Sequence, residues 1–105
     1  MKTNENLENR LSAAGVVSFE DARDWLGFTN EEKALMDMQI AAERAVEREM
    51  RAKHVSQAEL ARRMGTKQPA VSRMIRQSGS ASFETLFRAL LALGATPRKI
   101  AAILA

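Results

Sequence analysis

The chain has 105 residues, the size of a single domain around one core, and 46% hydrophobic with 28% charged residues excludes a fibrous or wholly disordered chain. It contains no cysteine and one histidine, His54, which excludes disulfide scaffolds, thiolate metal sites and cysteine nucleophiles and leaves any histidine-based triad resting on one imidazole. The net charge of +3 is unevenly spread: residues 1–32 carry three basic and seven acidic side chains, while residues 51–76 carry seven basic ones against Glu59 alone, so a polyanion is the first partner to consider.

No stretch approaches the roughly 20 apolar residues of a membrane span, and Met1–Asn6 lacks the apolar core of a signal peptide. A cytoplasmic protein without a membrane partner is expected. Strand signals are nearly absent, and the elements predicted in chain order are all helices. Residues 1–14 are polar, with Leu7, Leu11 and Ala14 spaced to allow a short helix. Ser18 is placed to cap a second short helix that Gly27 ends, with Phe19, Ala22, Trp25 and Leu26 on one side and Trp25 expected to hold it down. Thr29-Asn30-Glu31-Glu32 has capping-box spacing and opens a long helix to about Lys53, with Leu35, Met38/Gln39, Ala42, Ala45/Val46 and Met50 as its apolar stripe. The methionines at helical spacings read as core filler. His54, at that helix's C-terminal end, reads as a partner of the dipole and last carbonyls.

Ser56-Gln57-Ala58-Glu59 repeats the capping-box spacing, predicting a helix with Ala58, Leu60, Ala61 and Met64 inward and Arg62 and Arg63 on a solvated face. Gly65 permits a sharp reversal. The next helix starts at Gln68-Pro69, keeps Val71, Met74 and Ile75 inward, and turns Gln68, Ser72, Arg73 and Arg76 outward. After a loop at 76–81, Ser82 caps a helix whose apolar face is Phe83, Leu86, Phe87, Leu90 and Leu91, and Thr96-Pro97 opens a last helix bearing Ile100, Ile103 and Leu104.

The run VSQAELARRMGTKQPAVSR, Val55 to Arg73, resembles the helix-turn-helix of the Xre/Cro family, and the likeness continues through Ser82–Gly94 (SFETLFRALLALG). With Leu26-Gly27-Phe28-Thr29 and the long helix before it, the whole looks like the HigA-type antitoxins. Three positions depart from the family pattern: Ile75 and Gln77 stand where a Glu and a Gly are usual, and Pro69 replaces a polar residue found in some phage repressors. The resemblance implies an all-α, five-helix, phage-repressor-like domain at 29–105 behind an N-terminal helical extension at 1–28. It also implies a DNA-binding transcriptional regulator, a homodimeric repressor associated with the nucleoid that needs no cofactor. By the HigA likeness it is the antitoxin of a pair with a RelE/HigB-type toxin and represses its own operon.

An exposed helix reads duplex DNA in the major groove through side chains of matching donor and acceptor geometry. By the resemblance Gln68 pairs with adenine, Arg73 with guanine, Pro69 touches a thymine methyl and Ser72 is adaptable. Gln57 matches the family's phosphate-binding glutamine at a helix end whose amides also attract phosphate, and Lys67 and Arg76 add charge. A protein-interaction module that binds no DNA and a stand-alone phage-type repressor are the alternatives. No nucleophile, base and orienter can be assembled into an enzyme site.

Overall fold

The computed structural model describes residues 18–105; the short helix expected around Leu7–Ala14 lies outside them. The described residues form helices and no strand: α1 Phe19–Trp25, α2 Asn30–Lys53, α3 Gln57–Met64, α4 Gln68–Arg76, α5 Phe83–Ala92 and α6 Pro97–Leu104. The fold is all-α, with six helices among the described residues. Two compact units are distinguished, one ending at Leu35 and the other spanning Met36–Ala105.

Each start has a local cause. Ser18, Ser56, Ser82 and Thr96 each accept the backbone N–H three residues on, satisfying a donor that the first helical turn leaves free. Before α2 the reciprocal box closes in full: Glu32 N–H donates to the Thr29 hydroxyl at 3.1 Å and Thr29 N–H donates to the Glu32 carboxylate at 2.9 Å. Those bonds hold the Glu32 carboxyl below its ordinary range, the backbone one most strongly. The box predicted at Ser56 closes only halfway, because Glu59 turns to Arg62 and Arg63 instead of reaching back. His54 adopts φ 54 where α2 ends, so a histidine occupies the left-handed position that Gly takes elsewhere.

In the first unit the buried side chain of α1 is Arg23, 4% exposed, which donates to the Lys33 carbonyl at 3.1 Å, pairs with Glu20 and lies over the Phe19 ring at 4.5 Å. Of the apolar face expected there, Phe19, Trp25 and Leu26 are exposed and Ala22 is half-buried. Trp25 is 47% exposed, because at about 100° per residue it points away from Arg23.

In the second unit Leu60, Leu86, Leu90, Leu93, Val46 and Val71 are the largest fully covered side chains, joined by Ala42, Ala45, Met50, Val55, Ala61, Met74, Ala89 and Ile100. Burying one such leucine contributes about 1.5–3 kcal/mol. On α2 the first fully buried side chain is Ala42; Leu35, predicted on the stripe, is 52% exposed. Ala58 and Leu91 are exposed too, since the helical turn sets them roughly 110° and 145° from the mean directions of their helices' buried residues.

Candidate nucleic-acid interface

The site is a helical hairpin followed by a loop. α3 ends at Gly65, φ 68, with Gly65 N–H donating to the Arg62 carbonyl and Thr66 N–H to the Ala61 carbonyl, the double closure of a glycine-terminated helix. The reversal is complete within Thr66-Lys67. Lys67 stands in extended conformation just before α4, and its ammonium, a donor only, cannot cap the N–H groups there; Pro69 sits in the first turn, where its missing N–H costs nothing.

α4 is locked from beneath by Val71 and Met74, both buried, with Ile75 half-buried beside them. On its other side Gln68, Pro69, Arg73 and Arg76 are exposed and Ser72 is half-buried. Four of the residues expected at the DNA surface thus share one exposed face of one short helix, and Ser72, half-buried, falls between Gln68 and Arg76 on that face by the helical turn. Gln57 opens α3 and is half-buried; Lys67 is exposed. Arg76 lines a cleft of about 360 Å³ with Glu43, Arg44, Glu47 and Ser78.

Arg62 and Arg63 are committed elsewhere. Their Nε atoms both lie 2.9 Å from Glu59, and those two hydrogen bonds, that of Arg62 first, bring the Glu59 carboxyl from its ordinary 4.5 to about 2. Of the seven cations counted over 51–76, Arg62 and Arg63 share Glu59, and Lys67, Arg73 and Arg76, on α4 and the turn before it, are exposed.

The family comparison reads the same segment. A model of the helix-turn-helix family, Xre/Cro type, matches residues 46–100, just over half of the chain, from the last third of α2 through the first turn of α6. The chain belongs to the Xre/Cro-type helix-turn-helix family. The helix-turn-helix family is one of DNA-binding transcription regulators. No curated protein and no solved structure matches the chain. Among the described residues no helix is long and apolar enough to cross a membrane, and no group of His, Asp and Glu is arranged to hold a metal ion.

The sequence did not single out the polar contacts behind this helix-turn-helix surface. Gln39 and Glu43 on α2 bind the loop at 78–81, and Glu49 on α2 pairs with Lys53 and Lys99. Gln39 was visible as a polar residue on an otherwise apolar stripe, and Glu49 as a carboxylate seven residues after Ala42 on the same face; either irregularity is the signal of a buried polar partner.

Proposed function

We propose that this helix-turn-helix protein is a sequence-specific repressor that binds an operator as a homodimer and inserts the exposed face of α4 into the major groove. The observation that carries this reading is the sidedness of α4: Val71 and Met74 are buried while Gln68, Pro69, Arg73 and Arg76 are exposed. In the groove Gln68 offers a carboxamide to adenine N6 and N7, Arg73 a guanidinium fork to guanine O6 and N7, and Pro69 an apolar contact to a thymine methyl; Ser72 adapts to either donor or acceptor. Gln57, Lys67 and Arg76 bind phosphates and set register. Two copies related by a two-fold axis read half-sites about 34 Å apart. Residues 29–105 carry this activity and residues 1–28 are the extension.

We further assign the protein as an antitoxin that represses its own operon with a RelE/HigB-type toxin as partner. Support comes from the likeness of the long helix and the segment before it to HigA-type antitoxins. It comes also from the acidic first unit, which exposes Phe19, Trp25, Leu26 and Leu35 and so offers apolar contacts within a field that attracts a basic protein. Co-expression with the neighbouring reading frame tests the second assignment, and a stable copurifying complex is expected. Mobility shifts against the protein's own promoter test the first.

A further inference from the structure

The loop between α4 and α5 has one hydrogen bond of its own, from Ser80 N–H to the Gln77 carbonyl, and is otherwise tied from outside. Its sequence, Gln77-Ser78-Gly79-Ser80-Ala81, is built from small and flexible residues, and Gly79 adopts φ 82. Its path is set from α2. Glu43 accepts the Ser78 hydroxyl on one carboxylate oxygen at 2.8 Å and the Gly79 N–H on the other at 2.6 Å. Gln39, one turn earlier, donates to the Ala81 carbonyl at 2.7 Å and lies 3.4 Å from Glu43. Ser80, between them, donates its hydroxyl to the Arg73 carbonyl of α4 at 3.2 Å, and its N–H to Gln77. Three loop residues are therefore tied to α2 and the fourth to the end of α4.

We propose that Glu43 and Gln39 are positioning residues for DNA recognition: they fix the loop and, through it, the angle at which the C-terminal half of α4, with Arg73 and Arg76, meets the groove. This rests on the DNA-reading role assigned to α4. The charge of Glu43 makes the idea sharply testable, because a mere surface anion beside a phosphate-binding helix weakens binding to every duplex, and its removal tightens all of them. A positioning carboxylate does the opposite for the duplex that must be read.

The probes are a duplex enriched from a randomised pool by the unaltered protein and a shuffled duplex of the same length. For Glu43→Ala the ratio of the two affinities is expected to fall about tenfold, through loss on the enriched duplex. Glu43→Gln restores the ratio, since its carboxamide oxygen accepts from Gly79 and its NH₂ donates to the Ser78 oxygen. Gln39→Ala, which frees the Ala81 carbonyl, lowers the ratio in the same way and serves as the second variant should Glu43→Ala fail to fold, as followed by circular dichroism. An unchanged ratio in the folded alanine variants overturns the proposal, as does equal loss in Glu43→Gln. An unaltered protein that enriches no duplex overturns the DNA-reading assignment itself and this proposal with it; enrichment followed by unchanged ratios overturns this proposal alone.

Discussion

Lys99 Nζ lies 2.6 Å from one carboxylate oxygen of Glu49, and Lys53 Nζ lies 3.6 Å from the other, so a single acid on α2 anchors the last helix of the fold. Glu49 is only 7% exposed, and a carboxylate so covered persists as an anion because it is paired. The hydrogen bond from Lys99, foremost, holds its carboxyl below the ordinary 4.5. With the folded value below the unfolded one, the stabilisation is present above about pH 4.5 and is lost as pH falls through the lowered value. Thermal melts of Glu49→Gln should show a lower midpoint than the unaltered protein at neutral pH and a smaller further loss on acidification.

Glu59 gives a second acid-sensitive contact, this time inside the helix-turn-helix. Its carboxyl is brought to about 2 by Arg62 and Arg63, so its contribution is complete above 4.5 and disappears between there and about 2. Glu59→Gln should flatten that part of the stability profile, measured by urea unfolding at a series of pH values.

The same pairing separates the basic residues of this region by their effect on DNA. Lys67 is exposed at the start of α4, whereas Arg62 is already bonded to Glu59. Lys67→Gln should reduce the slope of log affinity against log salt by about 0.9, the release associated with one phosphate, and Arg62→Gln should change it much less. Titrations at four or five salt concentrations distinguish the two.

Gly65 tests the turn without touching the groove. A Cβ at this position meets nothing within 4 Å, so substitution acts through φ 68 alone. Gly65→Ala should destabilise the fold by roughly 1–2 kcal/mol in denaturant unfolding, the cost of a left-handed conformation for a residue with a side chain. Leu90→Ala, at a fully buried site, should cost about 2–5 kcal/mol in the same assay.

Local chemistry was legible in the sequence to the residue. Ser18, Thr29, Ser56, Ser82 and Thr96 all cap where their spacing places them, and Gly65 reverses the chain between α3 and α4. The two faces of α4 were legible as well, because Val71 and Met74 recur at the helical period. What escaped was which apolar or charged side chains find a neighbour. Periodicity ranks Leu35 with Ala42, yet only Ala42 is buried; it ranks Trp25 above Arg23, yet the arginine is covered because its guanidinium reaches the Lys33 carbonyl, Glu20 and the Phe19 ring. Contacts across long sequence separations, such as Glu43 with Gly79 and Glu49 with Lys99, leave no local pattern beyond a polar residue out of place.

Whether the outward side of α4 distinguishes bases is decided by comparing the unaltered protein with Gln68→Ala and Arg73→Ala on the enriched duplex and its shuffled counterpart. Each substitution should weaken binding to the enriched duplex by about 1–3 kcal/mol and leave the shuffled duplex nearly as before, apart from the lost charge at position 73. Equal losses on both duplexes would contradict a base-reading helix and leave these side chains as charge or bulk alone.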